Sequence, residues 1–372
     1  MKIIVLKNHL KNGLDAISKI GSESGPLALP VLKNCLIETV DNKIKLSMTN
    51  LEVAITTFVP IKVIEPGELT VSFSLFNSII NNIQSERIDL ESQNDNLIIK
   101  TDNYQAKIQG IKKEEFPIIP KIENSQSFFE IPNSLLKKSL SLIENAAQVS
   151  GSRTELNSVL FDYQVSFLKI AATDSFRLAE KSLTNNQFKS NHEQSFKAVI
   201  PVRTIQEVIR IFKEENPINI YFDNNQVLFK TENTEIISRL VNAEFPDYQS
   251  IIPKSPENEI IISKEQLINA LKLVSVFSDK LNEIKLLIKE KEKNLEVYST
   301  NKSLGENHYL IPAKIKSKSL EIVFNWRFLL DGIKNLESEE IFIGLDDDNK
   351  PALIKSAKDI SYFYILMPIK SN

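Results

Sequence analysis

Cysteine and histidine, the side chains that most often hold metals in proteins, are scarce in this chain. Its 372 residues include one cysteine, Cys35, and three histidines, His9, His192 and His308. One cysteine forms neither an internal disulfide nor a CxxC pair, and no two histidines have the HxxxH spacing of a zinc site. We therefore expect no metal and no other cofactor.

Glycine is also scarce, and glycine-rich loops are what binds phosphates or presents a nucleophile in many enzymes. Only nine glycines are present, and none lies in a GxGxxG, GxxxxGK[ST] or GxSxG pattern. An acid with a basic partner, built from Thr173, Asp174 and Arg177, is a distant hydrolase alternative to a turn whose aspartate accepts from its own backbone. The acidic run 346–348 favours a hairpin tip over a cation site. We predict that the chain is not an enzyme.

Long apolar runs and a strong net charge are missing as well. No apolar run approaches the roughly 20 residues of a membrane span, and the first 13 residues, MKIIVLKNHLKNG, lack the pattern of a signal peptide. We expect a cytoplasmic protein without a membrane partner. The net charge of −3 argues against holding nucleic acid by bulk charge.

The chain does contain one sequence pattern that is repeated three times. Segments 71–120, 199–253 and 322–368 each run from an apolar entry through an amphipathic helix to strands separated by polar turns. Matching dipeptides near the end of one of these strands, Lys100-Thr101, Lys230-Thr231 and Lys355-Ser356, lie 130 and 125 residues apart. A period this long is a domain rather than a solenoid repeat.

The fold class predicted from this pattern is α+β, in three tandem domains at residues 1–122, 127–253 and 258–372. Each domain has two amphipathic helices and about six to eight strands, mostly antiparallel. Loops are predicted at 21–30 and at the joint 121–127, and the fourth helix is predicted to run from Val202 to about residue 214. Helix N-caps are predicted at Ser74, Ser263 and Asn325.

Several motifs resemble the bacterial DNA sliding clamp family, the β subunit of DNA polymerase III. The motifs are LPVLKNCLIET at 29–39, LNSVLFDY at 156–163, AATDSFRLAEK at 171–181, EFPDYQSIIPK at 244–254 and the C-terminal YILMPIK. The resemblance runs from end to end. It implies a crescent-shaped protomer, a head-to-tail homodimer closing into a six-domain ring, and double-stranded DNA held topologically without sequence preference. It also implies a clamp loader complex and the replicative and other DNA polymerases as partners.

The resemblance further implies three sets of site residues. A hydrophobic pocket for a partner peptide is implied at Leu156, Thr173, Phe176, Arg177, Leu178, Pro246, Ile251, Met367, Pro368 and Ile369. Basic residues facing DNA are implied at Lys11, Lys19, Lys137, Lys138, Arg153, Arg203, Arg210, Lys272, Arg327 and Lys334. The dimer interface is implied at Ile108, Val276 and Phe277. The acidic residues Asp15, Glu207 and Asp331 on the same helices are expected to keep the positive field weak.

The chain departs from the family where it would touch partners. Ser175-Phe176 stands where the family often has Gly-His, which predicts a more apolar pocket rim. Thr154-Glu155 replaces a DNA-touching tyrosine pair and leaves Arg153 as the contact there. The alternative from another class is a three-domain scaffold that binds peptides without encircling DNA.

Overall fold

The computed structural model describes residues 1–22, 29–122, 127–148, 151–213, 216–290 and 292–370. Most of the predicted loop at 21–30 and of the joint at 121–127 lies outside these residues. The fourth helix ends at Ile211, earlier than the predicted end near residue 214, which is itself outside the described residues.

Six α-helices and 27 strands lie within the described residues. The helices are α1 (Lys7–Ser22), α2 (Phe73–Asn82), α3 (Asn133–Ile143), α4 (Val202–Ile211), α5 (Lys264–Val274) and α6 (Trp326–Lys334). The strands are β1 (Lys2–Leu6), β2 (Asn34–Val40), β3 (Lys43–Thr49), β4 (Val53–Pro60), β5 (Lys62–Glu65), β6 (Glu68–Ser72), β7 (Arg87–Gln93), β8 (Asn96–Lys100), β9 (Gln105–Ile108), β10 (Gly110–Ile111), β11 (Phe129–Ile131), β12 (Ser158–Tyr163), β13 (Phe167–Thr173), β14 (Arg177–Thr184), β15 (Lys189–Ser190), β16 (Phe196–Pro201), β17 (Ile218–Phe222), β18 (Gln226–Lys230), β19 (Thr234–Arg239), β20 (Asn258–Ser263), β21 (Glu283–Ile288), β22 (Asn294–Asn301), β23 (Gly305–Lys316), β24 (Leu320–Asn325), β25 (Glu340–Leu345), β26 (Ala352–Ser356) and β27 (Tyr362–Leu366).

The helices confirm two of the three predicted N-caps. Ser263 Oγ accepts from the amide of Gln266, and Asn325 Oδ1 accepts from the amides at the start of α6. The prediction for Ser74 is wrong, because α2 begins at Phe73 and its N-cap position is Ser72, two residues earlier. Strand β6 ends at Ser72 and the helix follows without a loop, so the backbone becomes helical before it reaches Ser74.

The described residues form two compact units, of which the first contains 1–133 and 210–240. One of its sheets has the order β5-β1-β7-β8-β9, and another runs β10-β6-β2-β3-β4-β19-β18-β17-β11. In the second of these sheets β4 pairs with β19 antiparallel, and Ile55 lies opposite Ile236. Both isoleucines are fully buried, so apolar packing as well as hydrogen bonding continues across this strand pair.

The second unit contains residues 134–209 and 241–372 and is built on one twelve-stranded sheet. Its order is β16-β12-β13-β14-β27-β26-β25-β20-β23-β22-β21-β24. Here β14 pairs antiparallel with β27, so that Leu178 lies opposite Ile365. A hydrophobic cluster lies across this pairing and comprises Leu160, Ala171, Leu178, Val199, Tyr248, Leu353 and Ile365.

The three-fold pattern of the sequence is visible in the elements. Each third of the chain has two helices, and the dipeptide anchors lie at the end of β8, of β18 and of β26. The described strand pairs are antiparallel, as predicted. The estimate of six to eight strands per domain is too low for the first two thirds, because short strands such as β5, β10 and β15 carry no clear alternation in sequence.

The described residues lack a membrane-spanning helix and a cluster of metal-binding side chains. No helix there has the length and hydropathy of a membrane span. No group of three or more His, Cys, Asp or Glu side chains is arranged there to hold a metal ion.

Candidate functional site

The turn between β13 and β14 is held by its own side chains. Asp174 Oδ1 accepts from the amides of Phe176 at 2.9 Å and Arg177 at 3.0 Å. Thr173 Oγ1 donates to the carbonyl of Arg177 at 2.7 Å. Ser175 has a φ of +77°, a conformation that few residues other than glycine adopt readily. The sequence prediction of a self-capping turn is therefore confirmed, and Asp174 is engaged in holding it.

Beside this turn lies a cavity of about 130 Å³, all of it within the second unit. Its walls come from the turn, from the segment after residue 244 and from the end of β27. The lining residues are Arg153, Thr173, Ser175, Phe176, Arg177, Leu178, Pro246, Asp247, Tyr248, Ile251, Ile365 and Met367.

Seven of the ten predicted pocket residues line this cavity, and Leu156, Pro368 and Ile369 do not. Leu156 is buried in the core. The chain after β27 is fixed by two backbone bonds: the amide of Met367 donates to the carbonyl of Phe176, and that of Ile369 donates to the carbonyl of Val323, both at 2.8 Å. The tail therefore brings Met367 to the cavity and then turns toward β24.

Sequence reasoning missed Asp247 in the cavity wall, and it also missed the larger pair Tyr248 and Ile365. Both belong, with Leu178, to the hydrophobic cluster, so this wall is a rigid piece of core. The hydroxyl of Tyr248 donates to Oε2 of the buried Glu180 at 2.7 Å. Burial first, and Glu180 second, raise the pKa of Tyr248. The signal was present in the sequence, because Tyr248 lies inside the EFPDY motif.

Arg177 is the buried cation of the site, with 11% of its side chain exposed. Its Nε donates to Asp174 Oδ2 at 2.8 Å, and its Nη1 donates to Asp331 Oδ2 at 2.7 Å. Its guanidinium carbon lies 4.1 Å from the centre of the Phe328 ring. Burial lowers the pKa of Arg177, but Tyr364 and the two carboxylates outweigh this effect and raise it. The guanidinium is therefore charged and held on three sides.

The basic residues predicted to face DNA lie on five of the six described helices, apart from Arg153. Those with exposed side chains on helices are Lys11, Lys19, Lys138, Arg203, Lys272, Arg327 and Lys334. Lys137 and Arg210 are partly buried. The described helix without one of these residues is α2.

Several of these cations already have partners within their own unit. Arg210 donates to the carbonyls of Asp15 at 3.2 Å and Ala16 at 2.8 Å, so it binds the backbone of α1. Lys138 pairs with Glu337. Arg153 lines the cavity, where its Nε donates to Glu155 at 2.8 Å. The structure thus places Arg153 beside the pocket residues and Arg210 against a helix.

The predicted interface residues differ in exposure. Ile108 ends β9, an edge strand of the five-stranded sheet, but its side chain is 4% exposed. Ile108 thus lies on an edge strand, as predicted, and because its side chain is packed in its own unit, the open part of β9 is its backbone edge. Val276 is 67% exposed in a 3-10 turn, Ser275–Phe277, that follows α5. Leu273 and Leu304 are exposed as well, and the Phe277 ring lies near Gly305 in the hairpin that carries Leu304.

Comparison with known proteins identifies three consecutive matches along the chain. Residues 1–120 match the N-terminal domain of the DNA polymerase III beta subunit, residues 130–247 its central domain and residues 249–370 its C-terminal domain. Together the three domain descriptions of this one family span nearly the whole chain.

Individual relatives agree over their whole length. The beta sliding clamp of Bacillus subtilis is 26% identical, and that of Escherichia coli is 24% identical, with all of this chain and of each relative covered. The crystal structure of the Bacillus subtilis DNA polymerase sliding clamp superimposes with a TM-score of 0.94 at 26% identity. The DNA polymerase III beta subunit of Thermotoga maritima gives 0.89 at 26% identity, again with both chains covered completely.

Proposed function

Because the chain belongs to the DNA polymerase III beta subunit family, we propose that it is a DNA sliding clamp, a non-catalytic processivity factor. The observation that carries this proposal is the match of three consecutive clamp domains, with no segment of the Bacillus subtilis relative left over. The clamp domains are assigned to residues 1–122, 127–253 and 258–372. The protein acts in the cytoplasm, where it tethers the replicative polymerase to double-stranded DNA.

Two copies close head to tail into a six-domain ring. The edge of β9 in one copy and the Ser275–Phe277 turn of the other form each contact. An edge strand of the partner pairs with the open backbone groups of β9, and the same contact buries the exposed apolar turn. The backbone of β9, rather than the buried Ile108 side chain, provides the first half of this contact.

The ring is tested by light-scattering mass with in-line solution X-ray scattering. A particle of about 85 kDa, twice the 42.3 kDa chain, with the distance distribution of a hollow ring is the expected result. A 42 kDa particle at micromolar concentration would instead support the three-domain scaffold that never encircles DNA.

The exposed basic residues of the helices face the DNA and contact phosphates without reading bases. Topology retains the ring, so a modest field is sufficient, and the overall acidic charge presents no obstacle. A clamp loader complex opens the ring on primed DNA. Rings loaded onto a nicked circular plasmid are expected to stay bound through a high-salt wash and to leave once the plasmid is linearised. Equal retention on circular and linear DNA would contradict encirclement.

Partner proteins bind through a short peptide in the cavity beside Arg177. Leu178, Ile251 and Met367 provide an apolar slot for a leucine or aromatic anchor, and methionine adapts its shape to different ligands. The probe is a fluorescein-labelled synthetic peptide with one leucine and one phenylalanine as anchors. Arg177→Ala and a chain ending at Leu366 are expected to bind it more weakly while remaining dimeric. Normal affinity in both variants would remove the pocket assignment.

A further inference from the structure

Helix α6 presents three side chains, one turn apart, on the side that meets Arg177. Phe328, Asp331 and Lys334 are spaced by three residues, so they lie along one stripe of the helix. Phe328 contacts the guanidinium face, and Asp331 contacts its edge. The position of the pocket cation therefore depends on a helix that contributes no residue to the cavity lining.

The carboxylate of Asp331 is shared between two cations. Its Oδ2 accepts from Arg177 Nη1 at 2.7 Å, and its Oδ1 accepts from Lys334 Nζ at 2.6 Å. Arg177 also pairs with Asp174. Two carboxylates and two cations leave this group with no net charge, although Arg177 alone would make the cavity positive.

Helix α6 is itself firmly seated. Asn325 caps its first turn, and the Tyr364 hydroxyl donates to the carbonyl of Phe328 at 2.9 Å. Gly332 lies so close to the Tyr364 ring that a Cβ there would meet ring carbon at 2.5 Å. The contacts with Tyr364 therefore fix the part of α6 that carries Phe328 and Asp331, as a preorganised binding site requires.

We propose that Asp331 is a positioning residue for the peptide pocket: it fixes the Arg177 guanidinium against Phe328 and cancels its charge. The proposal rests on the peptide pocket of the proposed function. The four charges of the group sum to zero, and Arg153 in the cavity lining is paired with Glu155, so acidic residues of a peptide would meet only cations that already have carboxylate partners. A peptide is selected by its apolar anchors and gains little from acidic residues beside them.

The test uses the full-length dimer and the same labelled leucine–phenylalanine peptide. Asp331→Asn keeps the size of the side chain and removes its charge, and we expect about tenfold weaker binding with an unchanged dimer mass. Asp348→Asn is the matched control, because it removes one carboxylate from an exposed residue of the same unit that does not line the cavity; we expect wild-type affinity. Asp331→Glu restores a carboxylate and is expected to bind more tightly than Asp331→Asn.

A double-mutant cycle separates positioning through Arg177 from a general structural effect. If Asp331 acts through Arg177, Asp331→Asn has no further effect in an Arg177→Ala background. Additive losses, or equal weakness of the Asn and Glu variants, would overturn the proposal. Weak binding by Arg177→Ala together with normal binding by Asp331→Asn would overturn it and leave the pocket assignment intact. If neither variant changes affinity, the pocket assignment itself fails.

Discussion

The rim of the candidate pocket carries an aromatic side chain that is largely open to solvent. Phe176 is 61% exposed, and its backbone is fixed by Asp174 on one side and by Met367 on the other. A rigid, exposed ring next to an apolar cavity offers contact area at little entropic cost. It is also the residue at which the sequence resemblance predicts a departure from the family's pattern.

We expect Phe176→Ala to weaken the leucine–phenylalanine peptide by about three- to tenfold, because an aromatic contact contributes roughly 0.5–1.5 kcal/mol. Fluorescence anisotropy measures the affinity, and the melting temperature should not change, since the ring is exposed. Tyr104→Ala, which removes an exposed ring in the other compact unit, is the control and should bind normally. Wild-type affinity in Phe176→Ala would exclude the ring from peptide contact.

Cys35 provides a second residue-scale prediction. Its side chain is fully buried, and burial raises the pKa of its thiol to about 12. Because the thiolate is the reactive form, the native protein at pH 8 should not react with a thiol-specific disulfide reagent over an hour, whereas the urea-unfolded chain should release one equivalent. Tyr104→Cys, with an exposed thiol, should react at once. Rapid labelling of the native wild-type chain would contradict the assigned burial.

Sequence reasoning reached the local part of the site and missed its distant part. The Thr173–Arg177 turn was predictable, because every bond that defines it joins residues at most four apart. The ion pair between Arg177 and Asp331 was not predictable, since the two residues are 154 positions apart. The sequence indicated only that Asp331 would weaken the positive field of its helix. No periodicity or propensity carries information about such a pair.

At the scale of elements, helix α6 contradicts a common expectation about glycine. Replacing glycine by alanine inside a helix normally stabilises it by up to about 1 kcal/mol. At Gly332, however, the added Cβ would meet the Tyr364 ring at 2.5 Å. Overpacking a core typically costs about 1–3 kcal/mol, so the clash outweighs the gain in propensity.

We therefore expect Gly332→Ala to lower the free energy of unfolding by about 1–2 kcal/mol, from the balance of these two effects, as measured by urea denaturation. The displaced helix should also weaken peptide binding, because it carries Phe328 and Asp331. Asn335→Ala, at the exposed end of the same helix, is the comparison and should have a small effect. A stabilised Gly332→Ala protein would show that the helix moves freely on the sheet.

Helices were easier to predict than strands. The apolar spacing of each amphipathic helix is set by local geometry, and the six helices of the described residues were predicted from it. Short edge strands such as β5 and β10 are defined by the partner they pair with, so their own residues hold little signal. The Ser74 error has the same origin, because the preceding strand decides where α2 starts.

At the scale of the whole molecule, the exposed Val276 permits a direct test of assembly. We expect Val276→Asp to convert the 85 kDa particle to about 42 kDa at micromolar concentration, because burying an unpaired carboxylate in an apolar contact is costly. The fold of the chain itself should be retained, since Val276 is largely exposed in its own chain, and the far-UV circular dichroism spectrum of the variant should match that of the wild type.

Ile360→Asp provides the matched control, because Ile360 is 88% exposed and lies outside the proposed contact. It should remain an 85 kDa particle and stay on circular plasmid, whereas Val276→Asp should be lost from it. Equal masses for the two variants would place the interface elsewhere.

The number of domains was predictable from the period of the repeat, but the compact units were not. They cut across the repeats because β4 pairs with β19 and β14 pairs with β27. These pairings join strands far apart in sequence whose alternating pattern would suit many partners.

The two strand pairings also determine what deletion of the middle repeat would expose. The middle repeat contributes β14 and β19, each hydrogen-bonded to a strand from a different neighbouring repeat. A deletion of that repeat at the level of the gene would leave β4 and β27 as bare, apolar sheet edges, which invite aggregation. The middle repeat therefore cannot be removed without exposing two sheet edges, one in each compact unit.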